Sequence, residues 1–259
     1  MEFELYRRGP HHRSDDEYIS FREVRDRFDF RGVEIGAWVT QKEQEKAAVY
    51  FYDALCDLTK ILAVPDEVIS LRGTLILQYG KGGRPGVAAH YAPDQRAFAL
   101  AKNAGPGSIA HEWFHAFDHY ICNKAFNVNK PRLFASTAWL AQYAPIEHPL
   151  NALLFNCYRA VLLDKSGEQP SELFLSSAEI DRAAGTVYYS LPEEMCARAF
   201  EAFVQDAHIK NNYLVKGTKQ SEEAKLGLYP QGEQRILINQ AFQNYFAQLG
   251  RALTLNKIQ

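Results

Sequence analysis

The segment His111-Glu112-Trp113-Phe114-His115 sets two imidazoles four residues apart with a carboxylate beside the first. On an α-helix that spacing puts both rings on one face, about 6 Å apart along the axis, so both can reach a single ion. Neutral imidazole nitrogens suit Zn²⁺ at about 2.0–2.1 Å, and three protein ligands plus a water describe an open, catalytic coordination shell. Glu112 then faces the water and is placed to act as a base. The competing reading is a pair of histidines packed in a core. The Gly-rich entry Gly105-Pro106-Gly107-Ser108 and the aromatic residues between the ligands favour the metal.

A third ligand must come from elsewhere. His119 follows His111 by eight residues and would sit about 12 Å further along the axis, too far to converge on one ion. Downstream, Ser190-Leu191-Pro192-Glu193 has the form of a capping box; with Glu193 engaged by the cap, Glu194 is left free in the first turn of a helix. Glu201 shares its face but lies about 10 Å higher, so only one of the two can bind the ion. Glu194 is the preferred ligand, with Arg198 one turn on to orient it; the bland alternative is a solvated Glu paired with Arg198. Asp118 falls on the His111/His115 stripe and is expected to hold an imidazole N–H, unless it is a plain surface carboxylate. Tyr188 or Tyr189 is expected to donate a hydrogen bond to an oxyanion, the alternative being that both merely pack beside the ligand helix.

The run His111–Tyr120, HEWFHAFDHY, together with Glu194-Met195-Cys196-Ala197-Arg198-Ala199-Phe200, resembles zincin metallopeptidases of the gluzincin type. That resemblance implies His111, His115 and Glu194 as zinc ligands and Glu112 as general base. Two departures stand out. Arg198 occupies the place of a second Glu, and no tyrosine lies seven residues before the ligand, Tyr188 and Tyr189 preceding it by six and five. More of the chain is similar to the large polyvalent protein-associated domain type 1 and its stand-alone CLCA-X relatives. The similar stretches are 30–36, 69–73, 89–91, 105–110 and Tyr229-Pro230-Gln231-Gly232-Glu233. This second resemblance implies a peptidase-like protein of phage or mobile-element setting and supplies no substrate.

The elements that must position these residues are legible in outline. Thr40-Gln41-Lys42-Glu43 is a capping box opening an apolar helical stripe that runs to Ile61. Residues 73–79 and 96–102 read as strands around the loop 80–86, whose Lys81 and glycines lack the ending of a phosphate cradle. His90 beyond it reads as a structural histidine. From Ser108 the pattern turns helical, with candidates at 108–122, 136–143, 149–163, 177–183, 190–207 and 234–249. Strands early and helices late give an α+β domain; the resemblance to zincins implies a zincin-like fold, a small N-terminal mixed sheet with the active-site helix, then a mostly helical half. Residues 1–20 are expected as a flexible lead-in or a surface strip, where His11 and His12 are more simply solvated than metal-bound. Residues 21–259 are expected as one catalytic domain with a helical insertion around 131–183, since 79 residues separate His115 from Glu194.

The chain has 259 residues, 47% hydrophobic and 23% charged, with a net charge of −2. That balance argues against a nucleic-acid coat, and no apolar run is long enough to span a bilayer. Four widely spaced cysteines and no apolar leader point to reduced thiols and a cytoplasmic protein without a membrane partner. The expectation is a zinc-dependent hydrolase acting on a polypeptide substrate laid along a sheet edge. The alternative is a catalytically silent zinc-binding interaction module; nucleic-acid binding is the weakest reading.

Overall fold

The computed structural model describes residues 5–14, 17–81, 89–102 and 107–255. Strand β1 (Arg7–Arg8) pairs antiparallel with β6 (Lys210–Asn211), so the lead-in is described lying against the body. Arg7 grips the buried Asp57 with two hydrogen bonds of 2.7 Å, His12 Nε2 donates to the same carboxylate at 2.7 Å, and Asn211 adds a third partner at 2.9 Å.

Helix α1 (Phe21–Phe28) starts at a Ser20–Glu23 capping box and buries Phe21, Val24 and Phe28 at helical spacing. Strand β2 (Gly32–Ile35) leads to α2 (Gln41–Leu62), whose Thr40–Glu43 capping box is formed as the sequence predicts. After a 3-10 turn at Asp66–Val68 come β3 (Ile76–Tyr79), β4 (Ala89–Ala92) and β5 (Ala97–Leu100). The sheet order is β2-β3-β5-β4, with β2, β3 and β5 parallel and β4 antiparallel at the edge. Sequence patterning missed β2 and β4, each of four half-buried residues, too short to show alternation. Of the loop 80–86, residues 82–86 lie outside the described residues, as do 105–106 of the Gly-rich entry; Lys81 bonds Glu34 at 2.6 Å.

The helical half follows: α3 (Ile109–Ala125), α4 (Ala135–Leu140), α5 (Pro149–Leu162), α6 (Glu172–Ala184), α7 (Pro192–Asp206), α8 (Glu222–Lys225) and α9 (Gly232–Leu255). The architecture is α+β, a small mixed sheet followed by helices. Helix α3 packs on β4 and β5 on one side and on α4 and α7 on the other, while α9 closes over α5 and α7.

Aromatic rings fix α3 against its neighbours. Trp113 and Phe114, the two aromatic residues between the histidines' positions, are fully buried, and their rings lie 5.4 and 5.0 Å from Phe200 of α7. Phe114 also meets Phe242 of α9 at 5.6 Å, and Phe117 meets Phe246 at 5.4 Å. Each such ring buries about 150–250 Å², so the cluster determines how α3 and α7 face one another. The start of α3 is fixed by backbone: Gly107 donates to the Tyr213 carbonyl at 3.1 Å and Ala110 to that of Leu214 at 3.0 Å. Gly107 has φ 112°, and a Cβ there would stand 3.0 Å from the Lys216 backbone nitrogen, so only glycine fits this entry. No described helix is long and apolar enough to cross a membrane.

Candidate metal centre

Because Trp113 and Phe114 face the core, His111 and His115 project from the opposite side of α3 toward the first turn of α7. There the Glu194 carboxylate meets them. Its Oε2 lies 3.3 Å from His111 Nε2 and its Oε1 3.3 Å from His115 Nε2, while the two imidazole nitrogens stand 3.0 Å apart. Among the described residues this is the one group of His, Cys, Asp and Glu side chains whose ligand atoms converge closely enough to hold a metal ion.

The donor set fits zinc. Three ligands at about 2.05 Å in a tetrahedral shell stand about 3.3 Å from one another, close to the spacing observed. Glu194 Oε2 is moreover buried without a hydrogen-bond partner although an imidazole nitrogen is 3.3 Å away, an orphaned polar atom that a cation would satisfy. Burial acts to raise the Glu194 pKa, but the two histidines outweigh it and hold the carboxylate well below its ordinary range. Its place in the first turn of α7 adds the favourable helix-terminus field.

Glu112 is 9% exposed beside this group. Burial pushes its pKa up, His111 and His115 oppose the shift, and Glu194 reinforces it. His90 on β4 lies near enough for its charge to act on Glu112, which brings the edge strand alongside the site.

Glu201 is not part of the converging group among the described residues. It stands behind His111, its Oε2 2.9 Å from His111 Nδ1. Tyr229, whose role the sequence left open, donates to the same oxygen at 3.2 Å. Burial would lower the His111 pKa, but Glu201 and Glu194 outweigh it and raise it well above the ordinary value.

Three expectations need correction. The Ser190–Glu193 capping box does not form: α7 begins after Leu191 without a side-chain cap, Ser190 Oγ donates to Asp181 at 2.6 Å, and Glu193 accepts from Thr137 at 2.6 Å. Glu193 is engaged as expected, but by α4. Asp118 does not hold an imidazole. Fully buried, it accepts from the Ser136 backbone at 3.0 Å, the Ser136 hydroxyl and the Tyr158 hydroxyl at 2.6 Å, while His115 Nδ1 is buried without a partner. Arg198 has no hydrogen bond to Glu194. Its guanidinium donates to the Leu228 carbonyl at 2.7 Å, to Ser177 Oγ at 3.2 Å and to the Tyr189 carbonyl, tying α7 to the segments on either side, and only its field reaches Glu194.

The two tyrosines separate. The Tyr189 ring lies under Arg198, 5.6 Å from its guanidinium carbon. Tyr188 is 45% exposed, and burial together with the Glu194 and Glu112 carboxylates pushes its pKa up, so its phenol borders the site. The turn carrying it hangs on Asp181 of α6, which accepts from the backbone nitrogens of Tyr188, Tyr189 and Ser190 at 3.1, 2.9 and 2.8 Å.

Residues 180–253 match the family model of the large polyvalent protein-associated domain 1. No curated protein and no solved structure matches the chain. The matched stretch carries Tyr188, Glu194, Arg198, Glu201 and Tyr229; His111, Glu112 and His115 lie before it.

Proposed function

We propose that the chain is a zinc-dependent hydrolase, a metallopeptidase of the gluzincin type, with His111, His115 and Glu194 as ligands. The observation that carries this reading is the convergence of two Nε2 atoms 3.0 Å apart with one carboxylate, each of whose oxygens lies 3.3 Å from one of them, flanked by a buried Glu112 that is not part of the group. A closed structural site would fill its fourth position with Cys or His and has no use for an adjacent base.

A zinc ion bound there would polarise a carbonyl and bring the pKa of water to about 7. The chain's own groups do the rest. Glu112 takes the proton of the attacking water and returns it to the leaving amine, a task suited to a carboxyl made more basic by burial. Tyr188, rather than Tyr189, donates its phenolic hydrogen to the developing oxyanion. The substrate adds as a strand to β4, which ends the sheet, runs antiparallel to β5 and packs beside α3. Glu201 holds the Nδ1–H of His111 so that Nε2 is free to ligate.

The test compares wild type and Glu112→Gln by metal analysis and by mass-spectrometric mapping of new protein termini in a lysate. About one zinc per chain in both proteins, with termini that appear only with wild type, is the expected outcome. A wild-type protein that holds no zinc after purification in added zinc would end the proposal. Zinc in both proteins with no new termini under any condition favours the silent interaction module.

A further inference from the structure

A second concavity opens one turn along α3 from His115. It encloses about 360 Å³ between the β4–β5 turn, the second half of α3 and the loop before α4, and its wall includes Arg96, His119, Asn123, Lys130 and Pro131. It adjoins the candidate metal centre: the Phe134 ring touches His115 at 5.8 Å and His119 at 5.7 Å. It also adjoins the edge strand. Tyr91 of β4 donates its hydroxyl to His119 Nδ1 at 2.7 Å, and His119 Nε2–H donates to the Pro131 carbonyl at 2.7 Å, which fixes the ring as a neutral wall.

The charges around it are unbalanced. Among the described residues, the Arg96 side chain has no hydrogen bond or ion pair, and the Lys130 ammonium has no carboxylate partner, meeting the hydroxyl and ring of Tyr143. Asp94, the carboxylate in the lining, is already committed to Arg132 through a 2.7 Å bond and a second parallel one. Just outside the lining, Lys124 stands close enough to Arg96 and Arg72 for their charges to repel its ammonium. In a chain of net charge −2, two lining cations, Arg96 and Lys130, neither paired with a carboxylate, give this concave wall a positive potential.

We propose that this pocket takes the carboxylate side chain of an Asp or Glu in a polypeptide laid along β4, so that it sets specificity at the candidate metal centre. The proposal rests on the peptidase reading. A strand running antiparallel to β4 brings its N-terminal part to Ala92 and Pro93, at the pocket's mouth, so the acidic residue precedes the bond offered to Glu112. Nucleic acid suits the wall less well, because the ring faces that could stack bases are covered by cations: Lys124 sits 3.8 Å above Tyr120 and Lys130 5.0 Å above Tyr143.

The test uses the full chain carrying Glu112→Gln, so that binding is read without cleavage. Fluorescence polarisation is followed with labelled hexaglutamate, hexalysine and a 20-nucleotide single-stranded DNA. Hexaglutamate binds, more weakly as salt rises, hexalysine does not, and Arg96→Asn with Lys130→Gln lowers the hexaglutamate affinity about tenfold or more. Asn is chosen because Arg96 has φ 47°, a conformation Asn tolerates, and circular dichroism checks that the variant is folded. Equal hexaglutamate binding by the folded variant overturns the pocket. So does DNA that binds more tightly than hexaglutamate and is lost in the same variant. With active wild type, cleavage sites lacking an acidic residue on their N-terminal side overturn the pocket and leave the hydrolase intact. Hexaglutamate binding that is lost in the variant, with no cleavage of any protein, supports the pocket and counts against the hydrolase.

Discussion

His111 Nδ1 lies 2.9 Å from Glu201 Oε2, two helical turns beyond Glu194 on the same face of α7. One helix therefore supplies both a carboxylate in front of the imidazole and another behind it. The rear one fixes which nitrogen carries the proton, and Tyr229 holds that carboxylate in turn at 3.2 Å. On the zinc reading, Glu201→Ala is expected to weaken zinc binding about 10–100-fold, measured by competition with a chromogenic chelator. Tyr229→Phe, which leaves the carboxylate but removes one of its donors, is expected to weaken it less. Unchanged affinity in Glu201→Ala would show that α3 alone fixes the ring.

The turn 186–190 owes its shape to Asp181, which three successive backbone N–H groups share. On the peptidase reading, Tyr188→Phe is expected to lower turnover about 10²-fold or more with zinc content unchanged, the usual cost of one oxyanion donor. Asp181→Ala frees the turn and is expected to lower turnover through Tyr188 while leaving zinc affinity intact, since Glu194 is held by α7. Tyr189→Phe keeps the ring beneath Arg198 and is expected to alter turnover little. Kinetics on a substrate found by terminus mapping separates the three.

The sequence was informative where chemistry follows a helical period. The approach of His111 to His115 is readable from their spacing, and rise per residue excludes Glu194 and Glu201 from sharing one ion; the preference for Glu194 rests on a capping box and on resemblance. It failed where partners come from afar. Ser190 and Glu193 have the letters of a capping box, yet Asp181 and Thr137 compete for them and win. Asp118 shares the ligand stripe, but Ser136 and Tyr158 draw its carboxylate away. Nothing in the local pattern shows Glu201 behind His111, because that contact joins residues 90 apart and depends on how Phe200 packs against Trp113 and Phe114. The Ser20–Glu23 capping box was readable by the rule that found Thr40–Glu43.

Asp57 anchors the first described residues, accepting from Arg7, His12 and Asn211 with no exposure of its own. Removing the carboxylate strands the Arg7 cation and the Asn211 amide. Breaking a buried pair costs about 3–5 kcal/mol, and since Arg7 is partly exposed the expected loss for Asp57→Ala is about 2–3 kcal/mol. Urea unfolding measures it. Hydrogen exchange of the Tyr6 amide, which bonds to the Asn212 side chain, should also quicken as β1 leaves β6.

Asp118 gives a pH signature. Burial raises its pKa from 3.8 to about 6 against the opposing hydrogen bonds of Ser136 and Tyr158. A carboxyl whose folded pKa exceeds its unfolded one binds its proton more tightly in the folded state. Its stabilising contribution is therefore complete below about pH 4 and is lost as pH rises through 6. A shift from 3.8 to about 6 corresponds to a change on the order of 3 kcal/mol. Asp118→Asn cannot titrate, and Ser136 Oγ can turn to accept from the new amide. The stability of wild type relative to this variant is thus expected to fall between pH 4 and pH 7, read from paired urea unfolding curves on metal-free protein. A difference that stays flat across that range would mean that Asp118 is ionised throughout, held so by the Ser136 and Tyr158 donors.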